Sequence, residues 1–188
     1  MHEDIYFRVV PSRFGDTAVV WRWSGHSDHE IRIIRVLLPE PGVSGGQLVR
    51  RQWSRAYEKH SDEQESVCAM LQSFLAGAKV VFPLDTLDFS GITPFQKTVL
   101  RIEYRVPYGK VTTYGHLAEQ TGKPGAARAV GNTLARNPFP LIIPCHRAVR
   151  SDGSIGGFQG GTDLKRRLLE QEGIVFDITG RIPRRYFL

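Results

Sequence analysis

The 188-residue sequence has little cysteine, no long apolar run and no surplus of negative charge. Two cysteines, Cys68 and Cys145, are too few for a disulfide framework and form no CxxC pair, which favours free thiols in a reducing compartment over a thiolate-rich zinc site. No apolar run approaches the roughly 18–20 residues that span a bilayer. The opening residues, MHEDIYFRVV, lack the regions of a secretory signal. A cytoplasmic protein, or a nuclear one in a eukaryote, is therefore expected.

Positive charge is in excess, and it is concentrated in the second half of the chain. The net charge is +6; residues 92–188 contain 15 Lys and Arg against 7 Asp and Glu, whereas residues 1–91 contain 10 against 12. Lysine and arginine gain free energy when they displace counterions from phosphates, so this half is compatible with a polyanion-binding module. A generic basic surface accounts for the charge equally well.

The first half has the patterning of a small antiparallel sheet followed by a helix. The β-rich runs cover residues 5–10, 16–23 and 31–38, with the turn-like segments FGD and SGHSDHE between them and a loop, PEPGVSGG, at 39–46. Apolar positions 67, 70, 71, 74 and 75 predict an amphipathic helix over 62–76, ended by Gly77, with Cys68 as a packing residue. Residues 80–94 predict a strand and a linker, and we place a domain boundary near residue 91.

The second half predicts helices, two of them arranged as a helix-turn-helix. Thr93 and Pro94 open a helix over 93–106, and further helices are predicted over 112–122 and 126–137 with a Gly/Pro turn between them. The last of these has a packing face and a polar, cationic face: Ala127, Val130, Gly131 and Leu134 on the first, Arg128, Asn132, Ala135 and Arg136 on the second. Its small side chains allow close approach to a neighbouring helix or to a nucleic-acid groove.

The stretch LIIPCHRAV places Cys145 beside His146, after an apolar run that predicts a strand. The pair suggests an activated thiolate, yet successive side chains of an extended chain point to opposite faces. A bridging water or a turn after Pro144 would have to connect them, and a carboxylate would have to orient the histidine. The candidates are Glu172, Asp152, Glu170 and Asp163, and spacing alone does not favour Glu172. A buried thiol beside a surface imidazole explains the dipeptide as well.

A glycine-rich loop, SDGSIGGFQGG, and a final helix follow the cysteine. Its glycines leave backbone N–H groups able to face a ligand, and Phe158 can stack on a planar ring or pack in the core. The helix is predicted over 162–173, with Thr162 as its cap and Leu164, Leu168 and Leu169 facing inward.

Taken together, GNTLARNPFPLIIPCHRAV, the glycine-rich loop and LLEQEG resemble, in order, the O6-alkylguanine-DNA alkyltransferases (methylated-DNA–protein-cysteine methyltransferases). The resemblance is strong over about residues 93–174 and weak over 1–91. It implies a two-domain α/β (α+β) fold, with residues 1–91 as a small antiparallel sheet with a helix and 92–188 as a mostly helical, winged-helix-like domain. It also implies DNA repair by irreversible, single-turnover transfer of an alkyl group from O6-alkylguanine, with O4-alkylthymine as a further candidate substrate.

The resemblance assigns roles to individual residues. Cys145 would accept the alkyl group, His146 would act as base through a bridging water, Glu172 would orient His146, Asn137 would hold the cysteine turn, and Tyr114 would donate to the leaving guanine. Arg128 would enter the base stack as the nucleotide flips out, beside further contacts to the DNA minor groove. Those contacts would be Ala126, Ala127, Ala129, Gly131 and Thr113. The alkyl pocket would be lined by Leu134, Pro140, Ala148, Phe158 and Gln159.

Two positions depart from the family pattern, because many relatives carry Tyr where Phe158 stands and Ser or Arg where Gln159 stands. Phe158 keeps a stacking face without the hydroxyl, and Gln159 could narrow the pocket against bulky alkyl groups. No cofactor is expected, because the damaged DNA is the alkyl donor. No metal is expected either, since Cys68 is the only thiol near His26, His29 and Asp85.

The expected protein is a monomer that binds duplex DNA. Three alternatives remain: a binder of damaged bases without chemistry, against which Cys145 argues; a cysteine hydrolase, which would turn over without DNA; and a helix-turn-helix regulator, which would bind a defined sequence.

Overall fold

The computed structural model describes residues 4–24, 30–60 and 62–188 and mixes helices with small sheets, so the predicted α+β class is confirmed. The chain divides into two compact units, Met1–Ser90 and Gly91–Leu188. The boundary predicted from the sequence lies one residue beyond this division.

The first unit is built on a small sheet with strand order β3-β2-β1-β4. Strands β1 (Tyr6–Val10), β2 (Thr17–Trp23) and β3 (Ile31–Leu37) pair antiparallel and confirm the three predicted strands. The sheet is not purely antiparallel, because a two-residue strand, β4 (Tyr57–Glu58), pairs in parallel with β1. The predicted turn that contains His26 and His29 lies outside the described residues.

Helices α1 (Gly45–Gln52) and α2 (Asp62–Leu75) belong to this unit. Helix α1 starts inside the predicted loop, because Ser44 and Gln47 form a reciprocal capping box. Helix α2 confirms the predicted amphipathic helix. Cys68 is buried on it, and burial raises the pKa of its thiol to about 12, as suits a packing residue.

The strand predicted within residues 80–94 is wrong. The segment forms only an isolated bridge between Leu87 and Ile33, with Asp88 N–H donating to Ile33 O at 2.8 Å. Pro83 has no N–H to donate and interrupts a continuous ladder here.

The second unit begins with helix α3 (Pro94–Tyr104), which Thr93 caps as predicted. Helix α4 (Tyr114–Gln120) and helix α5 (Ala127–Ala135) follow, joined by a 3-10 turn over Pro124–Ala126, and form the predicted helix-turn-helix. The faces of α5 divide nearly as expected. Val130, Thr133 and Leu134 are buried, Ala127 and Gly131 are half-buried, and Arg128, Ala129, Asn132, Ala135 and Arg136 are exposed.

A two-stranded sheet, which we call the wing, completes this unit. Strand β5 (Thr112–Thr113) pairs in parallel with β6 (Ala148–Val149), and helix α6 (Gly161–Gln171) follows. The predicted Thr162 cap is wrong, because the helix begins at Gly161 with Gly160 at the cap position and no side-chain cap. The inward positions Leu164, Leu168 and Leu169 are confirmed as buried. None of the helices in the described ranges is long and apolar enough to cross a membrane.

Candidate active site

The segment that carries Cys145 is a tight turn, and the predicted apolar strand over 141–144 is wrong. Leu141 has a left-handed backbone (φ 73°), and Ile143 N–H donates to Phe139 O at 2.8 Å. Cys145–Arg147 then form one turn of 3-10 helix. Because Cys145 and His146 are not in extended chain, the geometric objection to their acting together does not apply.

Asn137, at the end of the α5 segment, holds this turn from inside. It is fully buried, and its Nδ2 donates to Ile143 O at 2.9 Å and to Cys145 Sγ at 3.2 Å. Its Oδ1 accepts from Phe139 N–H at 3.0 Å. One amide therefore joins both ends of the turn and contacts the sulfur itself.

Asn137→Ala is expected to lower the free energy of unfolding by roughly 2–4 kcal/mol, because it leaves the Phe139 N–H and the Ile143 carbonyl buried without this partner. Urea unfolding followed by circular dichroism measures the change. Asn132→Ala, on the exposed face of α5, is the matched control and should leave stability nearly unchanged. Equal stability of the two variants would mean that the turn holds itself without Asn137.

His146, Arg147 and Glu172 form a buried charge network behind the cysteine. His146 Nε2 lies 2.8 Å from Glu172 Oε1. Arg147 donates through Nε to both carboxylate oxygens, at 3.1 and 2.9 Å, and through Nη2 to Oε1 at 2.9 Å. Gly109 N–H donates to Oε2 at 3.1 Å, and Arg147 Nη1 donates to Val106 O at 2.6 Å. Two separate segments, the Cys145–Arg147 turn and the chain at Gly109, thus contact one carboxylate.

The protonation states follow from this network. Burial opposes ionisation of Glu172, but hydrogen bonds from His146 and Arg147 and the charge of Arg147 outweigh it and hold its pKa at about 2. An ionised carboxylate only accepts hydrogen bonds, so His146 Nε2 carries the hydrogen and Nδ1 carries the lone pair. Burial lowers the pKa of His146 against the pull of Glu172, so the imidazole is neutral and able to accept a proton.

The thiol at the centre of the site holds its proton at rest. Burial, only partly opposed by the Asn137 hydrogen bond, raises the pKa of Cys145 to about 12. Its side chain is also almost inaccessible, at 4% exposure for the residue. Burial thus favours the protonated thiol at neutral pH, and a base that accepts its proton during the transfer would assist reaction at this sulfur.

Tyr114 lies where the helix-turn-helix meets the glycine-rich loop. A Cβ at Gly156 would lie 3.0 Å from the Tyr114 hydroxyl, and one at Gly131 would lie 3.8 Å from Cδ1 of its ring. Burial and the nearby Glu103 raise the pKa of Tyr114, so its hydroxyl keeps a proton to donate. Glycine at position 156 leaves room for the Tyr114 hydroxyl, whereas a Cβ at Gly131 would make an ordinary van der Waals contact with the ring.

Phe158 and Gln159 tie the same loop to the site. The Phe158 ring meets the His146 ring edge-on, with centroids 6.2 Å apart. Gln159 Nε2 donates to Asn137 O at 2.8 Å and to Leu134 O at 3.4 Å. The Gln159 amide is therefore engaged with the end of the α5 segment.

The other predicted residues fall into two groups by exposure. Among the predicted DNA contacts, Arg128 and Ala129 are exposed and Ala126, Ala127, Gly131 and Thr113 are half-buried. The Thr113 hydroxyl accepts from His116 N–H at 3.0 Å and so caps α4. The predicted pocket residues Leu134, Pro140 and Ala148 are buried.

Sequence spacing left open which carboxylate orients His146, and the distances in the structure identify Glu172. Glu172 is in contact with His146, whereas Asp152 accepts hydrogen bonds from Ser154 and Glu170 pairs with Arg166 at 2.8 Å. Asp163 lies in the first turn of α6.

Sequence reasoning missed three buried charged residues: Arg147, Lys165 and Glu103. Lys165 is fully buried and donates to Ala148 O at 2.7 Å and to Gly157 O at 3.0 Å. Glu103 is also fully buried, and within the described chain neither carboxyl oxygen has a hydrogen-bond partner. Helical spacing contains the signal for two of them, because Lys165 is four residues before the inward Leu169 and Glu103 is four after the inward Val99.

Among the described residues, no group of three or more His, Cys, Asp or Glu side chains is arranged to hold a metal ion.

Comparison with known proteins agrees with this geometry. A sequence model described as "6-O-methylguanine DNA methyltransferase, DNA binding domain" matches residues 94–174. A methylated-DNA–protein-cysteine methyltransferase of Methanothermobacter thermautotrophicus is 40% identical over 149 residues, which is 78% of this chain and 82% of that protein. The chain therefore belongs to the methylated-DNA–protein-cysteine methyltransferase family, and the resemblance stated from the sequence is confirmed.

Solved structures give the same result. The crystal structure of the Mycobacterium tuberculosis O6-methylguanine methyltransferase is 31% identical, with a TM-score of 0.69 over 93% of this chain and 98% of that one. A structure described as Mycobacterium tuberculosis OGT in complex with DNA has the same TM-score, 0.69, and 31% identity, and covers 89% of this chain and 92% of that one.

Proposed function

We propose that this protein removes the alkyl group from O6 of guanine in DNA and keeps it on Cys145. The observation that carries the proposal is a buried thiol in hydrogen-bond contact with Asn137, beside a neutral His146 whose Nε2 meets an ionised Glu172. This arrangement is that of a nucleophile, a base and an orienting carboxylate. Family membership supports the same chemistry.

In the proposed reaction, Cys145 Sγ attacks the alkyl carbon in line with the bond to guanine O6. The carbon–sulfur bond forms as the carbon–oxygen bond breaks, and the electron pair of that bond leaves with guanine. The thiol proton passes through a bridging water to His146 Nδ1, and Glu172 stabilises the imidazolium. The Tyr114 hydroxyl donates a hydrogen bond or proton to the departing guanine. The product is a thioether that water does not cleave readily, so each molecule acts once.

The proposed partner is duplex DNA, bound through the exposed face of α5 in the minor groove by a single copy of the chain. Arg128 is exposed on that face and would enter the base stack, while Ala129 and the half-buried Ala126, Ala127 and Gly131 would permit close approach. A base within the duplex has to flip out to reach a sulfur as buried as that of Cys145. The same chemistry extends to O4-alkylthymine, whose alkyl group is also bonded to an exocyclic oxygen.

The test is the mass of the intact protein after incubation with duplex DNA that carries one O6-methylguanine. The expected result is a gain of one methyl group per protein, located by peptide mapping on Cys145, with unmodified guanine restored in the DNA. Cys145→Ser should gain nothing, and Cys68→Ser should gain as much as the wild type. Tight binding to the lesion without any gain of mass would make the protein a binder of damaged bases and overturn the proposed transfer.

A further inference from the structure

The chain after the family match ends in a basic segment, FDITGRIPRRYFL, whose residues are fixed to the wing. Ile182 is buried in a cluster with Val111, Val149, Leu169 and Ile174. Val111 N–H donates to Tyr186 O at 2.9 Å, and Leu188 N–H donates to Val111 O at 3.1 Å. Ile182 N–H donates to Gly153 O at 2.9 Å, on the other side of the wing. We call residues 175–188 the tail.

Four cations lie on or beside this attached tail and form what we call the tail–wing surface: Lys110, Arg150, Arg184 and Arg185. The three arginines are exposed and Lys110 is half-exposed. Lys110 Nζ donates to Arg185 O at 3.0 Å, and Arg184 Nη2 donates to Ser151 O at 2.9 Å. The guanidinium groups of Arg184 and Arg185 lie over the Phe187 and Tyr186 rings, at 5.1 and 4.8 Å from the centroids. The backbone and rings therefore hold the cations in place.

Carboxylates do not neutralise this surface. In the part of the chain that the structure describes, none of the four cations of the tail–wing surface forms an ion pair with a carboxylate. Arg181 is not part of this surface. Hydrogen bonds from Ser154, with a contribution from the Arg181 charge, lower the pKa of Asp152, and a hydrogen bond from the Arg181 backbone N–H, with its charge, lowers the pKa of Asp177. Four exposed cations without a carboxylate partner favour an anionic ligand outside the protein.

The surface continues from the proposed lesion-binding face. A Cβ at Gly156 would lie 3.0 Å from the Tyr114 hydroxyl and 3.7 Å from Arg150 Cγ. Arg150 opens the turn in which Gly153 N–H donates to Arg150 O at 3.0 Å, and Arg184 contacts the next residue, Ser151. Gly156 thus lies close to both Tyr114 and Arg150, and the turn that begins at Arg150 is connected to the tail through Arg184.

We propose that the tail–wing surface binds phosphates of the DNA backbone beside the lesion, with Arg184 and Arg185 each contacting one phosphate. The proposal rests on the proposed function for its ligand, duplex DNA. Guanidinium groups suit phosphate because they present a planar fork of donors. The contact is sequence-independent, as repair of damage at any position requires.

The experiment measures binding of an undamaged fluorescent duplex by anisotropy, from about 50 to 200 mM salt, for wild type and R184Q/R185Q. Loss of two phosphate contacts should reduce the slope of log K against log[salt] by about 1.8. R184K/R185K keeps both charges and should restore the wild-type slope. R101Q/R105Q, which removes two exposed cations from the α3 region, is the matched control and should change the slope by much less.

Parallel measurement of methyl transfer at saturating DNA separates this inference from the proposed function. R184Q/R185Q should transfer one methyl group to Cys145, as the wild type does, because no catalytic residue is changed. The proposed DNA contact of the tail–wing surface would be overturned if R184Q/R185Q kept the wild-type slope of log K against log[salt]. It would also be overturned if R101Q/R105Q lost as much of that slope as R184Q/R185Q. If the slope falls in R184Q/R185Q as expected but the wild-type protein gains no methyl group, the proposed function is overturned and the DNA contact of the tail–wing surface stands.

Discussion

Glu172→Gln is expected to slow methyl transfer by roughly 10²- to 10⁴-fold, the size of a typical general-base contribution. The amide cannot stabilise a positive charge on His146, so the imidazole loses the partner that makes it a base. The substitution also leaves the buried Arg147 guanidinium without its counter-charge, which costs about 3–5 kcal/mol of unfolding free energy. Single-turnover transfer, followed by quenching and mass spectrometry at a temperature where the variant is folded, measures the first effect.

The pH dependence of stability provides a second measurement on Glu172. Its folded-state pKa of about 2 lies below the ordinary value of 4.5, so its stabilisation is present above pH 4.5 and is lost as pH falls towards 2. Glu172→Gln should remove this acid-induced loss. Glu170→Gln, on the same helix but in an exposed pair with Arg166, should change the unfolding free energy by about 0.3–0.5 kcal/mol and leave the rate unchanged. A wild-type transfer rate in Glu172→Gln would refute the role of the carboxylate.

Glu103→Leu is expected to stabilise the protein at neutral pH, by roughly 2–4 kcal/mol. Burial, only partly offset by the charges of Lys165 and Arg147, raises the pKa of Glu103 to about 8. Its folded-state pKa is therefore above the ordinary value of 4.5, and folding takes up a proton between those two pH values. The wild type accordingly loses stability as pH rises from about 4.5 to about 8, whereas leucine has no carboxyl group to ionise and carries no such cost.

Denaturant titrations at pH 5, 6, 7 and 8 test this, because the stability gap between Glu103→Leu and wild type should widen at each step. Asp163→Leu, at an exposed carboxylate on α6, is the control and should show no widening gap. A constant gap across the series would mean that Glu103 is already ionised in the folded protein and that a partner compensates its charge. The two buried carboxylates thus act in opposite pH directions.

Sequence patterns predicted the structure correctly where it depends on contacts between residues that are close in the chain. The Thr93–Pro94 opening of α3, the apolar spacing of α2 and the two faces of α5 all depend on contacts within a few residues, and the predictions there were confirmed. The start of α1 had the same kind of signal, since Ser44 and Gln47 have capping-box spacing.

Predictions failed where the structure depends on contacts between residues that are far apart in the sequence. LIIP has the composition of a strand, but Asn137 and the left-handed Leu141 bend it into a turn. The two-residue β4 pairs with a strand about fifty positions earlier in the chain, and nothing within the segment YE indicates that. Glu172 could not be chosen over Asp152 or Glu170 from spacing, because its contact with His146 spans 26 positions. The resemblance supplied that choice, and the geometry agrees with it.

The network around Glu172 also has a consequence for the order of events during folding. Its contacts reach Arg147 across 25 positions and Gly109 across 63, and the tail reaches Lys110 across 75. Contacts of such high sequence separation form late, because the loops they close are long. Before that step His146 lacks the carboxylate that would orient it. We therefore expect the ability to accept an alkyl group to appear in a refolding experiment only in the slowest phase, after most of the helical signal has returned.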